Sequence, residues 1–254
     1  MIQPTKLLTP LTLALALLAS ALPATAGQRK FTYSYETTTA PKGTIEIENW
    51  VTWKTRDTAA GRVDRFDFRH ELEFGLTDNL QLGLYLADWR HESTPTGDET
   101  TYRHSGAELI WSLSNPTTDL VGSALYAEVL VGEDHVELEG KLLLQKNFGP
   151  LIVAYNAIIE AEWEGENYDE RTGVFEQTAG VSYEVNRTLS VGVEALHEIE
   201  FADWEESSDS VVYAGPNVSV RMGKAFATLT GMWQITDIEG EPDFQMRTIF
   251  GFEF

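Results

Sequence analysis

From Gly43 to the last residue the chain repeats one pattern: about ten residues of alternating apolar and polar side chains, a tight turn, a second such segment, then a longer polar stretch. Side chains of a strand point to opposite faces in turn, so a period of two marks a sheet with one greasy and one polar side. The end of the chain shows it: Phe244, Met246, Thr248, Phe250, Phe252 and Phe254 share one face, and Gln245, Arg247, Ile249, Gly251 and Glu253 the other. The cleanest alternation is Val63 to Leu76, where Phe66, Phe68, Leu72, Phe74 and Leu76 oppose Arg65, Asp67, Arg69, Glu71 and Glu73.

The pattern predicts twelve strands: 43–54, 63–76, 80–89, 102–113, 120–131, 136–148, 151–164, 173–185, 188–201, 211–222, 225–236 and 243–254. Five of the connections are tight turns, such as Thr77-Asp78-Asn79 and Gly149-Pro150; six are longer polar loops, among them 55–62 and 91–100. Asp and Asn tolerate left-handed backbone and bond to nearby amides, which suits them to hairpin turns. Strands of soluble sheets average about 5–6 residues, whereas a tilted membrane-crossing strand needs about 9–11. An even count of long strands with alternating short and long connections is the layout of a bacterial outer-membrane barrel. The expected fold is therefore all-β, a single closed antiparallel up-and-down transmembrane barrel. A β-sandwich or jelly roll would need shorter strands and would leave the terminal Phe254 unaccounted for. Closure predicts that 243–254 pairs with 43–54, with Glu46 and Glu48 facing Arg247 across the seam.

A few residues break the pattern. Pro216, beside Gly215, lacks an amide donor in the middle of a strand, and a closed barrel has no edge to tolerate it, so a bulge is expected there. Asp88, Lys146 and His197 fall on the lipid-facing parity. The first two lie near strand ends, and a register slip after Ala195 would account for the third.

The N-terminus changes the picture of where the chain works. Lys6 is the only charge in residues 1–26, which continue through the apolar run Leu11 to Leu18 and end on Ala24-Thr25-Ala26, a small-x-small cleavage pattern. This reads as a removed secretory signal, since the apolar run is too short for a spanning helix. Residues 27–42 are then expected as a periplasmic segment and 43–254 as the barrel. Without Lys6 the chain keeps 17 basic and 40 acidic side chains, a formal charge of −23. Such a surface repels nucleic acid. With no cysteine, disulfides, thiolate metal sites and a Cys nucleophile are ruled out.

The inward parity carries the candidate site. It places Glu46, Glu48, Arg65, Asp67, Arg69, Glu71 and Glu73 in the lumen from the first two strands, and Tyr85, Glu128, Glu139 and Lys141 from the next four. Glu160, Glu162 and Glu194 follow, then Arg221 and Arg247. Carboxylates cannot be buried without water or partners, so the lumen is expected to be wet, salt-bridged or both. Eight strands are just filled by side chains and sixteen leave a channel. Twelve suggest a narrow pore, constricted by Tyr85, Trp50, Trp89, Tyr126 or Tyr213 and favouring cations because its walls are acidic. The competing reading is a non-conducting structural or adhesive barrel.

Two stretches carry a family likeness. Ala40-Pro41-Lys42-Gly43-Thr44-Ile45-Glu46-Ile47-Glu48-Asn49-Trp50 and the hairpin Glu73-Phe74-Gly75-Leu76-Thr77-Asp78-Asn79-Leu80-Gln81-Leu82-Gly83-Leu84 resemble the outer-membrane barrels grouped with MetA-pathway phenol degradation and similar transporters. The resemblance implies a channel for small solutes, hydrophobic or aromatic ones included, with no catalytic motif and no cofactor. Phe250, Phe252 and the terminal Phe254 look like the signal by which the barrel assembly machinery recognises such proteins.

Two further chemistries leave partial traces among the residues. His91-Glu92-Ser93 has the His-x-Ser spacing of the outer-membrane phospholipases, but a nucleophilic Ser needs its base within reach and that base oriented by a third group, and no Asn partner is evident. The acidic loops, for example Asp203, Glu205, Glu206 and Asp209, offer divalent cations a bridge to lipopolysaccharide phosphates but lack calcium-loop spacing. The five histidines, His70, His91, His104, His135 and His197, show no ligand spacing within one segment.

Overall fold

A computed structural model describes residues 29–254; the expected signal segment lies outside the described residues. The strands are β1 (Ile45–Thr58), β2 (Gly61–Thr77), β3 (Leu80–Thr94), β4 (Gly97–Ser114), β5 (Gly122–Val131) and β6 (His135–Phe148). They continue as β7 (Leu151–Glu164), β8 (Glu170–Glu184), β9 (Leu189–Ala202), β10 (Glu206–Ser207), β11 (Val211–Met222), β12 (Ala225–Gln234) and β13 (Phe244–Glu253). The two-residue β10 pairs only with the end of β9. The other twelve pair with their neighbours, all antiparallel, and β13 closes on β1 to complete the barrel.

The seam runs from Glu46 opposite Glu253 to Thr55 opposite Phe244. Arg247 therefore lies opposite Thr52, whose Oγ1 accepts a 3.0 Å bond from its Nε. The expected facing of Arg247 by Glu46 and Glu48 is not formed, because antiparallel pairing carries those two glutamates to the other end of β13.

Strands β1 to β4 run for 14, 17, 15 and 18 residues, well beyond the roughly 9–11 that cross the hydrocarbon. The stretches 55–62 and 91–100, expected as loops, are thus mostly strand, with tight turns at Ala59-Ala60 and Pro95-Thr96. The backbone stays extended after leaving the lipid, and only its outward side chains turn polar.

Asp88 points inward because the β3–β4 and β2–β3 ladders shift register between Tyr85 and Trp89. That bulge reverses the parity of β3, so Asp88 is buried and Arg90 lines the lumen, while Trp89, expected as a constriction, faces outward against Tyr102. No slip occurs at His197: β8 and β9 stay in register, and its ring bonds Gln177 at 3.1 Å and Ser210 at 2.8 Å. At Pro216 the ladder from β11 to β12 skips two residues without changing register, an interruption rather than the expected bulge. The proline's missing donor falls in that gap, where the strands come so close that a Cβ on Gly215 would lie 1.8 Å from the Gly231 carbonyl oxygen.

The outer face is a belt of exposed Leu, Ile and Val, including Leu86, Leu109, Leu125, Leu142, Ile159 and Val193. Trp53, Phe66, Trp89, Tyr102, Trp233 and Phe244 rim one end, and Trp111, Phe148, Tyr183, Phe252 and Phe254 rim the short-turn end, as at the two edges of a bilayer.

Inside the wall lies a feature the sequence did not predict. Residues 29–42, expected in the periplasm, run through the barrel near its short-turn end, with Lys30 through Tyr35 all buried. Tyr35 packs in an apolar cluster with Trp50, Ile110, Tyr126, Leu143, Phe226 and Ile249, and Tyr33 with Leu196, Val211, Tyr213 and Met232.

Candidate functional site

The inner segment, the plug, has no strand partner, so most of its bonded amides turn to side chains of the wall, while that of Lys30 donates to Glu36 within the plug at 2.8 Å. An unpaired buried N–H costs about 1–3 kcal/mol. Glu194 of β9 accepts from the backbone N–H of Thr32 and Tyr33 at 3.0 Å each and of Ser34 at 2.8 Å. Asn156 of β7 holds the Tyr35 peptide on both sides, accepting from its N–H at 2.6 Å and donating to its carbonyl at 3.0 Å. Gln145 of β6 takes the Thr37 N–H at 2.8 Å, and Gln81 of β3 takes that of Ala40 at 2.7 Å. Polar inward residues that looked like wet lumen are therefore a cradle for one backbone.

Ion pairs fix the start of the plug. Arg29 bridges Glu48 at 2.9 Å and Glu73 at 3.2 Å, stacked over Tyr35 and Trp50, and its carbonyl accepts from Ser219 and Thr228. Lys30 reaches Glu184 at 2.6 Å. Glu46, Glu48, Glu71, Glu73 and Glu108 crowd this end of the lumen, all buried, with Arg29 among them and Arg221 near Glu46. Tyr85 donates to Glu108, Tyr126 donates to Glu128, and the two phenol oxygens lie 3.1 Å apart.

Above the plug the barrel opens. A cavity of about 300 Å³ rests on Tyr33, Tyr35, Trp50 and Arg247 and continues into a second of about 490 Å³ toward the mouth, the two sharing Lys54, Arg65, Arg90 and Glu137. Beneath Tyr35 lies a small cavity of about 60 Å³, between Arg29 and Glu46, Glu48 and Glu73. The plug is thus the floor of a vestibule.

The vestibule walls are divided by charge. Lys54, Arg56, Arg65, Arg90 and Arg103, with Glu92 among them, line the β1 to β4 side, and Glu137, Glu160, Glu162, Glu176, Glu198 and Glu200 the β6 to β9 side. Glu137 lies directly opposite Glu162, Glu139 opposite Glu160, and Glu176 opposite Glu198 on adjacent strands. Like charges facing across a ladder repel, a cost that water in the cavity reduces. On the basic side Asp67 sits between Arg65 at 2.9 Å and Arg90 at 2.7 Å, and Arg69 bridges Asp88 at 2.8 Å and Glu128 at 3.6 Å.

The remaining sequence-predicted residues divide between these zones. Lys141 pairs with Glu139 at 2.8 Å and lies over Tyr35 and Tyr126, at the vestibule floor. Arg221 pairs with Glu253 at 3.1 Å near the seam, and Arg247 sits over Tyr33 and donates to the Thr32 carbonyl. Sequence reasoning missed Arg29, Lys30, Lys54, Arg90 and Arg103 as lumenal bases, and so overstated how uniformly acidic the interior is. It also missed the neutral cradle of Asn156, Gln145 and Gln81. The His91-Glu92-Ser93 motif lies on β3, where Ser93 bonds Asp98 at 2.6 Å and His91 bonds Thr100 at 2.8 Å. These partners belong to the facing strand, and no nucleophile and base pair forms between His91 and Ser93.

A closed twelve-stranded wall, an apolar belt with aromatic rims and a charged interior define the fold of a bacterial outer-membrane β-barrel, one that holds its own N-terminal segment inside. The chain belongs to the family of unknown function DUF6662, whose model matches residues 23–248. No curated protein matches the sequence. Among solved structures it is similar to the COG4313 outer membrane channel from Pseudomonas putida F1, with a TM-score of 0.65 and 14% identity over 88% of this chain and 100% of that one. It is also similar to the beta domain of the Bordetella autotransporter Brka, TM-score 0.53 and 9% identity over 82% and 98% of the two chains. The NanC porin gives 0.51 and 8% over 83% and 98%. At these identities the likeness is one of fold.

Proposed function

We propose that the protein is an outer-membrane channel for small charged or zwitterionic solutes, closed at rest by residues 29–42. The observation that carries this reading is the plug itself, a backbone cradled by wall side chains beneath a wide, water-accessible vestibule. Hydrogen bonds and ion pairs hold its backbone and charged side chains beside the separate apolar contacts of Phe31, Tyr33 and Tyr35, and the polar part of such a seat is reversible. Opposed basic and acidic walls orient a solute that carries both charges and exclude apolar ones. This favours polar solutes over the aromatic compounds implied by the resemblance to phenol-degradation barrels. The acidic excess leans the pore toward cations, less strongly than a uniformly acidic lumen would.

Planar-bilayer recordings of the intact protein and of a variant lacking residues 29–42 test this. Brief, rare openings in the first and long-lived, mildly cation-selective current in the second are expected. A silent deletion variant that keeps the heat-modifiable gel migration of a folded barrel would favour the non-conducting alternative. Steady full current in the intact protein, or anion preference in the open variant, would equally overturn the proposal.

A further inference from the structure

Five histidines with no shared spacing gave no metal site in the sequence, yet the barrel brings two together on the vestibule wall. The loop after β5 folds back closely enough that a Cβ on Gly132 would lie 2.3 Å from the Arg103 carbonyl oxygen, and the Gly132 N–H donates to the carbonyl of His135 at 2.7 Å. His135, at the start of β6, is thereby laid against His104 of β4, ring centroids 5.3 Å apart and planes 24° from parallel. Glu137, two residues on and facing the same way, completes a group in which one donor atom from each of the three lies within 4.8 Å of the others. All three line the vestibule.

We propose that His104, His135 and Glu137 bind a divalent transition-metal ion of Zn²⁺ type. Three observations carry it. His135 has a carboxylate at each ring nitrogen, Glu164 Oε1 3.2 Å from Nδ1 and Glu137 Oε2 3.3 Å from Nε2. A neutral imidazole has one N–H and satisfies one of them; a cation between Nε2 and Glu137 satisfies the other. The distance fits, because nitrogen and oxygen ligands about 2.0–2.1 Å from a tetrahedral Zn²⁺ stand roughly 3.3–3.4 Å apart. Finally, the His104 side chain is only 11% exposed, and its Nδ1 lies 3.3 Å from Asp88 Oδ2 without the alignment of a hydrogen bond, leaving that nitrogen without a partner. Glu164, at Nδ1 of His135, stands where a carboxylate that orients a metal-bound imidazole stands. Two imidazoles and one carboxylate suit Zn²⁺, Ni²⁺ or Cu²⁺ over Mg²⁺ or Ca²⁺, and the open vestibule leaves a coordination position for water or solute. This inference is independent of whether the barrel conducts.

Titration of the full-length folded protein in detergent with Zn²⁺ by calorimetry, and with Co²⁺ by its visible absorption, is the test. One saturable ion per chain is expected, unaffected by excess Mg²⁺ and weakened at least about tenfold by His104→Gln or His135→Gln. Glu133→Gln in the adjacent loop should leave it unchanged. Zn²⁺ should also shield two histidines of the unaltered protein from diethyl pyrocarbonate, a readout that needs no variant to fold. Absence of saturable binding, as a bridging imidazolium at His135 would give, overturns the proposal. So does binding that survives the double histidine variant, or a full titre of reactive histidines with Zn²⁺ present.

Discussion

The two halves of the lumen are built from the same residue types to opposite ends. At the short-turn end many inward polar groups are taken up by the plug: Glu194, Asn156, Gln145 and Gln81 by its amides, and Glu48, Glu73 and Glu184 by its cations. In the vestibule the charges are sorted by wall instead, with Lys54 opposite Arg65 and Glu137 opposite Glu162. The lower half spends its polarity on holding a backbone still, and the upper half presents it to whatever enters. A carboxylate on the inner face thus has no fixed meaning until the path of the N-terminal segment is known.

That comparison can be broken at its strongest point by Glu194→Ala. Three plug amides lose their acceptor at once, and at about 1–3 kcal/mol each the seat weakens by on the order of 3 kcal/mol or more. Open probability in bilayers should rise toward that of the deletion variant, with chymotrypsin gaining access to Tyr33 and Tyr35. Asn156→Leu removes two bonds to one peptide and should give an intermediate open probability and cleavage rate, costing about 1–3 kcal/mol. Arg65→Gln combined with Arg90→Gln acts on the vestibule alone. It should shift the reversal potential toward stronger cation selectivity while leaving opening frequency unchanged, and a changed frequency would show that the halves are coupled. Smallest, Phe254→Ala should slow appearance of the heat-modifiable barrel during membrane assembly and leave gating untouched, as expected of a side chain 60% exposed on the outer rim.

Twelve strands, their faces and the closing pair were legible because lipid on one side and water or charge on the other force a period of two. Where one of those forces ends, so did legibility. Beyond the bilayer the outward side chains of β1 to β4 need not be apolar, so strand looked like loop. At the β3 bulge a single irregularity reversed the parity of Asp88, Trp89 and Arg90, and Asp88 on the wrong face was its only trace. The plug was illegible for another reason: Thr32 and Glu194 are 162 positions apart, and no local pattern records so distant a partner. The alternation Phe31, Tyr33, Tyr35 was the available sign, an alternating aromatic stretch too short for a membrane strand. His104 and His135 met in the same way, through the fold-back of the loop after β5 rather than a motif.

The cradle also imposes an order of assembly. Glu194, Ser219 and Thr228, which hold the first residues of the plug, belong to β9, β11 and β12, the last third of the chain to be made. Contacts of such long sequence separation form late, after the loop between them has been closed. Residues 29–34 can therefore complete these contacts only once the final strands are in place, so that a fully docked plug reports a completed barrel.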